Sequence, residues 1–451
     1  MAKPKKIRKT VRKKVNKSMR RWQFKVFIAL LAVGFLVSWT LPLRPKTSES
    51  EKRELTAFPT LSVKALASGT FFDGINLWFS DTFPFREAMV TANGKLKSLY
   101  GFGTQYVGLT DEKADEIPDE PNEPVALPVI EGLDPVDDTI DETIGGTIEV
   151  DNALVQNLGA LVVVNDAAYE VYNFVKDTAE RYAAIVSRTA QNLEGVSDVY
   201  DLVVPTSVDI TMPDKERAKI NSSSQADAMR YIFSCMTPQV HSVNVYNVLR
   251  SHRTEYIYYR TDHHWTALGA YYAYTQFCRA IQDQPKPLDA FEECKFDGFK
   301  GSFVAETKKN AALENHPDTV YAYKPKAPVT LQYTDKNGRT NDWEVIYDVS
   351  EWSASSKYST FIGGDNPYTI LRNASITEPK TCLVVKESFG NAMVPFIAAN
   401  FSEVHVVDYR YWRGSVSSFA KEHGVDCVLF INNVSATRST SLMNTLQKVA
   451  Q

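Results

Sequence analysis

Apolar and polar positions divide this chain into three regimes. From Trp22 to Leu43 the residues are almost continuously apolar, centred on Val26-Phe-Ile-Ala-Leu-Leu-Ala-Val-Gly-Phe-Leu-Val37. Between 61 and 100 the apolar positions return at helical spacing: Leu61, Ala65 and Leu66, then Leu77, Trp78 and Phe83. A second helix is expected from Arg86 to about Tyr100. From Ala160 onward, short apolar runs alternate with helical periodicity. Leu161–Val164 reads as a strand with Asn165-Asp166 as its turn, and Phe174 to Leu193 as a helix stopped by Gly195. Val199–Val204, His241–Tyr246 and Tyr256–Arg260 read as strands. Gln225–Met236 and Trp265 to about Ile281 read as helices.

The rhythm breaks over about 289–380. There Thr319–Lys324, Val329–Tyr333 and Glu344–Asp348 look like strands joined by turns such as Asp335-Lys-Asn-Gly338, giving a β-rich insertion. Alternation then resumes: strand Thr381–Val385, helix from Asn391, strand Glu403–Val407, helix Ser415–His423, strand Asp426–Ile431 and a last helix from Thr440. Strands separated by helices imply an α/β fold with a mainly parallel sheet covered on both faces. Chemistry in such sheets gathers at the carboxyl ends of the strands.

Charge changes the picture at the front of the chain. The net charge of −4 averages two opposed regions. Residues 1–25 hold twelve Lys or Arg and no acid, and residues 111–151 hold fifteen Asp or Glu and one Lys. About 20 apolar residues span a bilayer as a helix, and basic residues before such a helix stay in the cytoplasm. Trp22 and Trp39 stand near its two ends, where indole rings favour the interface. Leu41-Pro-Leu-Arg-Pro45 offers no small-x-small cleavage site, which favours an uncleaved anchor over a signal peptide. The expected division is a cytoplasmic tail at 1–21, a transmembrane helix at 22–43 and a helical segment outside the cytoplasm at 46–110. An acidic stretch at 111–151 and an α/β domain at 152–451 follow. Beside a membrane helix the basic tail is an orientation signal rather than a nucleic-acid arm.

The acidic stretch lacks aromatics and reads as a solvated linker, and the ligand order of a calcium loop is absent. Five scattered cysteines without C-x-x-C spacing exclude a structural zinc site. Cys382 and Cys427 read as small buried hydrophobes. A disulfide among Cys235, Cys278 and Cys294 is left open.

Two stretches carry chemistry. Tyr259-Arg-Thr-Asp-His-His-Trp-Thr266 brings Asp262 and His264 together in a turn packed by Trp265. Val385-Lys-Glu-Ser-Phe-Gly390 puts Ser388 between an apolar strand and a helix, where its own N–H and the next ones would face a developing oxyanion. A serine needs a base, and the base a carboxylate to orient it. Each feature also has a plain use, an N-cap for Ser388 and a surface hydrogen bond for the Asp–His pair. Gly363-Gly-Asp-Asn366 is a tight turn, or a second oxyanion donor through Gly364 or Asn366. Arg410 is a surface residue or binds an anionic or carbonyl group. Trp343, Trp352 and Trp412 serve the core or stack on sugar rings. A metal reading of Asp262, His263 and His264 lacks a further ligand, and nothing calls for a cofactor.

Tyr256-Ile-Tyr-Tyr-Arg-Thr-Asp-His-His-Trp-Thr-Ala-Leu-Gly-Ala-Tyr-Tyr-Ala-Tyr274 resembles the signature of the DHHW family of bacterial proteins. More distantly, Asp262-x-His264-Trp265 is similar to the D-x-H-W motif of alginate O-acetylation proteins. Val404-His-Val-Val-Asp-Tyr-Arg410 resembles their strand ending in Asp-x-Arg, and Glu51 to Arg86 their pre-catalytic segment. The residue before the serine is Glu387, where Asp is expected in DHHW relatives. The resemblance implies an SGNH-hydrolase-like sheet flanked by helices. It makes His264 the base, Asp262 its orienter, Ser388 the acyl-carrying nucleophile and His263 a neighbour, with Arg410, Asn366, Gly364 and Trp265 on the substrate side. It further implies an O-acetyltransferase or acetylesterase of a cell-surface polysaccharide, fed by a membrane-bound O-acyltransferase. A protein that kept this fold for glycan binding or envelope assembly without turnover is the second expectation.

Overall fold

The structure is a computed structural model and describes residues 44, 47–48, 53–54, 56–62, 70–83, 114–121, 139–151 and 153–450. The chain forms two compact units, Met1–Thr104 and Gln105–Gln451. In the first unit, β1 (Thr47–Ser48) pairs antiparallel with β2 (Arg53–Glu54), and α1 spans Thr70–Asp81. The Arg44 guanidinium lies 3.9 Å over the Trp78 ring and donates to Thr82 Oγ1 at 2.7 Å, tying residue 44 to the end of α1. Phe58 meets the other side of this cluster, edge-on to Trp78 at 4.9 Å. The expected transmembrane helix at 22–43 and the helix 86–100 lie outside the described residues. Among the described residues no helix is long and apolar enough to cross a membrane.

The second unit opens with a small antiparallel sheet of β3 (Val155–Asn157), β4 (Leu161–Val164) and β5 (Ala167–Glu170). Asn165, in the left-handed region at φ 54°, makes its turn. Helix α2 (Lys176–Asn192) buries Tyr182, Ala183, Val186, Thr189 and Ala190 at three- and four-residue spacing. The chain then runs through β6 (Asp198–Val204), α3 (Gln225–Ser234), β7 (Val240–Ser242), α4 (Tyr246–Ser251) and α5 (Ala267–Ala280). After β8 (Phe291–Phe299), α6 (Ser302–Glu306) and β9 (Asp318–Pro325) come β10 (Val329–Thr334), β11 (Thr340–Trp343), β12 (Tyr368–Asn373) and β13 (Thr381–Lys386). The last elements are α7 (Val394–Ile397), β14 (Glu403–Asp408), α8 (Val416–His423), β15 (Cys427–Asn433) and α9 (Thr440–Ala450).

Eight strands form one mixed sheet in the order β11-β10-β12-β14-β13-β15-β6-β7, flanked by helices. The five from β14 to β7 are parallel; β12, β10 and β11 add an antiparallel edge. Buried on both faces, β13 is a continuous apolar run, as parallel centre strands are. Leu383, Val384 and Val385 each contribute roughly 1.5–3 kcal/mol by burial. β13 delivers Ser388, two residues past its end at Lys386, to the carboxyl edge between β14 and β15.

Several expectations are corrected. The region 289–380 is no separate insertion: β10–β12 complete the main sheet, and only β8 and β9 pair apart from it. Leu161–Val164 is a strand, but in the small sheet. Tyr256–Arg260 is not a strand; its ordered pairing reduces to a bridge between Tyr258 and Trp265. Residues 344–348 form no strand, and His241–Tyr246 yields only β7 before α4 begins. The described parts of the acidic stretch are not a free linker. Arg250 and Arg253 donate to the carbonyls of Glu142, Ile144 and Gly146, Asp141 N–H bonds Asn247 Oδ1, and Asp115 accepts from Lys176 N. Both its backbone carbonyls and its carboxylates are used, with Glu142 also 3.7 Å from Arg230. Cys235, Cys278 and Cys294 are free thiols, as are Cys382 and Cys427, so the bridge left open by the sequence is not formed.

Candidate active site

The segment between β7 and α5 carries Asp262 and His264. It turns back on itself through Tyr259 N–H to His264 O (3.2 Å) and Thr266 N–H to Ile257 O (2.9 Å), and Thr266 caps α5. What holds it is Asp318, at the start of β9 and fully buried. Its carboxylate accepts from the backbone N–H of Thr261 (2.7 Å) and of Arg260 (3.1 Å). It also accepts from Thr261 Oγ1 (2.6 Å) and the Tyr256 hydroxyl (2.6 Å). Sequence reasoning missed Asp318; its position next to Pro317 inside an apolar strand gave no signal.

Asp262 Oδ1 lies 2.5 Å from His264 Nδ1 and accepts the His264 N–H at 3.0 Å, while Oδ2 accepts the Ser302 N–H at 2.8 Å. Burial alone would raise this carboxyl. The imidazoles of His264 and His263 and the hydrogen bonds from His264 and Ser302 outweigh it and hold Asp262 well below the usual carboxylate range. The Ser302 amide gets this close because residue 301 is glycine. A Cβ there would sit 2.1 Å from the Asp262 Cβ.

His264 Nε2 lies 2.8 Å from Ser388 Oγ. The structure therefore joins Asp262, His264 and Ser388 in one hydrogen-bonded sequence, all three less than 10% exposed. With Asp262 ionised, Nδ1 carries the imidazole proton and Nε2 faces the serine as acceptor. Trp265 is fully buried, and its Nε1–H donates to Phe389 O at 2.9 Å. It braces the nucleophile turn against the motif loop instead of lining a substrate surface, which corrects its expected place.

Glu387 fits its position. Oε1 accepts from Asn433 N (3.0 Å) and Nδ2 (3.2 Å) at the end of β15; Oε2 accepts from Phe389 N (3.2 Å) and lies 3.2 Å from Ser388 Oγ. The longer side chain spans the gap between two strand ends. The turn uses more donors than the sequence suggested: Phe389 N–H goes to Glu387 Oε2 and Gly390 N–H to Glu387 O. Among the described residues the Ser388 N–H meets no acceptor.

Arg410 is not a free anion receptor. It is paired with Asp408 through Nε (2.8 Å) and Nη2 (2.6 Å), and with Asp365 at 2.9 Å. Lys386 completes the cluster, 2.9 Å from Asp408 and 3.4 Å from Asp365. Asp365 resists its burial through Lys386, Arg410 and a hydrogen bond from Asn391 Nδ2 (2.9 Å), and so stays well below the usual carboxylate range. Gly363 and Gly364, at φ 74° and 82°, make the turn that presents it. Gly364 N–H bonds Phe361 O and Asn366 Nδ2 bonds Gly363 O, so the two expected oxyanion donors are spent within their own turn.

The His263 ring lies 3.9 Å from that of His264, tilted by 36°, and bonds Ser302 Oγ at 2.8 Å; burial, with His264 beside it, lowers its pKa. Asp262, His263 and His264 are close enough together to offer three metal ligands, but His264 is engaged at both ring nitrogens, Nδ1 with Asp262 and Nε2 with Ser388. Trp343 stacks on Tyr347 (4.5 Å) and Trp412 packs edge-on to Phe419 (6.0 Å), while Trp352 is 37% exposed.

The DHHW protein family model matches residues 51–133 and 129–407. A DHHW family protein from Eubacterium siraeum superposes with a TM-score of 0.61 at 28% identity, over 67% of this chain and 99% of that one. Bacillus cereus PatB1 superposes at 0.51 and 16% identity, over 65% and 99%, a likeness of fold; it has also been solved with a sulfonyl adduct. The O-acetyltransferase domain of Pseudomonas putida AlgJ aligns over 66% of this chain and 99% of that one, at 13% identity and a TM-score of 0.37. No curated protein matches. With Asp262-His263-His264-Trp265 at the centre of its site and the family model covering most of its length, the chain belongs to the DHHW family.

Proposed function

We propose that this protein is a membrane-anchored O-acetyltransferase or acetylesterase acting outside the cytoplasm on a cell-surface polysaccharide, with an SGNH-like catalytic domain. The observation that carries the reading is the unbroken run from Asp262 through His264 to Ser388, 2.5 and 2.8 Å. Ser388 Oγ attacks the donor's acetyl carbonyl as its proton passes to His264 Nε2. Asp262 stabilises the imidazolium, and the Ser388 N–H faces the oxyanion. His264 returns the proton to the departing group, leaving acetyl-Ser388. A sugar hydroxyl or water then attacks as His264 takes its proton, releasing the ester or acetate and restoring the serine. Arg410, held by two carboxylates, stands beside this centre as a fixed part of its wall.

The donor outside the cell is a membrane-bound O-acyltransferase by the resemblance of the motif, and the apolar stretch 22–43 is the anchor. The test compares the full chain with Ser388→Ala and His264→Ala. Hydrolysis of 4-nitrophenyl acetate and covalent capture of phenylmethylsulfonyl fluoride are expected in the wild type. Both should fall about 10³-fold in either variant. Equal inactivity of all three proteins would leave the inactive glycan-binding reading in its place.

A further inference from the structure

We propose that Tyr358 is a positioning residue of this site, resting on the triad reading above, and that its ring holds the His264 imidazolium formed during reaction. Tyr358 lies in the helical turn Ala354–Thr360, between β11 and β12. Its ring stacks face-on against the imidazole of His264, 4.0 Å between centroids and 14° between planes. Its hydroxyl donates to the main-chain oxygen of Ser388 at 3.0 Å. One side chain therefore touches both the base and the nucleophile. The rings of His263 and Phe389 also lie against the base, at 3.9 and 4.9 Å and tilted by 36° and 46°.

An aromatic face attracts a cation more than a neutral ring, so the contact strengthens as His264 takes the serine proton. Burial and the nearby carboxylates keep the phenol neutral, which preserves both the ring's electron-rich face and the O–H donor. The segment that carries Tyr358 is clamped at its far end by Asp365, which pairs with Arg410 and accepts from Asn391 just beyond Ser388. The cluster of Lys386, Asp408, Arg410 and Asp365 is thus a latch: it pins the wall carrying Tyr358 to the strand ends carrying Ser388. Asp262, His263, Asp365 and, through Ser388, Glu387 are the titratable groups around His264, with Glu170 and Glu306 beyond His263.

The experiment reads the pH dependence of Ser388 sulfonylation by phenylmethylsulfonyl fluoride in the full chain, the acid limb reporting protonation of the base. Tyr358→Phe keeps the face and should leave the limb in place. Tyr358→Leu removes the face and should move the limb about half a pH unit or more to lower pH, with a rate loss of about tenfold. Tyr358→Trp, with a stronger face, should move it the other way, and decides the matter if the leucine variant does not fold. A limb unmoved by both Leu and Trp overturns the proposal. Wild-type protein that does not react at Ser388 overturns the triad reading instead.

Discussion

The two halves of the site are held in different ways. Ser388 follows β13, whose register between β14 and β15 is fixed by ladders on both sides: Val385 faces Val407 on one and Phe430 on the other. Apolar burial along the strand sets its height in the sheet, and the turn after it aims the hydroxyl at His264 Nε2. Asp262 and His264 lie on a segment with one bridge and no strand. Their position comes from a buried carboxylate some 55 residues later, Asp318, and from the close approach of Gly301. Ser388 is placed by a regular lattice; the Asp262–His264 pair beside it is placed by polar bonds made across the chain.

Removing Asp318 should therefore do the most damage. Asp318→Ala leaves the Thr261 and Arg260 amides without their acceptor in a buried place, at a cost of about 3–5 kcal/mol. Thermal unfolding should shift accordingly, and sulfonylation of Ser388 should fall more than about 100-fold, since a 1 Å displacement is enough. Survival of the rate would mean the loop holds itself.

Glu387→Gln probes the other half. It keeps the span between the strand ends and loses the charge that takes four donors, so about 1–2 kcal/mol of stability and about tenfold in rate should be lost. A loss as large as that of Asp318→Ala would erase the contrast.

Asp201, fully buried on β6 of the main sheet, should matter least to the rate. Its carboxyl accepts from the Tyr182 hydroxyl, which in turn is bonded by Asn432 and, through it, Tyr409. Burial pushes Asp201 up to about 7 despite the Tyr182 bond. A carboxyl raised on folding binds its proton more tightly in the native state. Its contribution is complete below the unfolded value near 4, and is lost as pH rises through about 7. Urea unfolding of Asp201→Asn should lack this fall between pH 4 and 7, with sulfonylation at fixed pH within about twofold of wild type. A slope that persists would assign it to other groups.

Much of this was written in the chain as local pattern. The strands at 199–204, 381–385, 403–407 and 426–431 and the helix from 176 were visible because burial on two faces or one leaves a periodic trace. Asp262-x-His264-Trp265 was visible because neighbours in sequence carry it. Tyr256 to Arg260 misled for the same reason: an apolar, aromatic run next to the motif has strand composition, yet the Tyr259 N–H turns back to His264 O and the Arg260 N–H goes to the Asp318 carboxylate. Arg410, Asn366 and Gly364 were selected by residue type, and only their partners show that each is already engaged.

What the sequence determined by itself is the order of most strands and helices and the candidate residues Asp262, His264 and Ser388, because both follow from side-chain type at short range. Tertiary structure decided which of those residues meet, that 289–380 completes the sheet, and that Asp318, Gly301, Tyr358 and Asp365 frame the triad. These last contacts join positions far apart in the chain and rest on distance and direction, which no spacing along the sequence encodes.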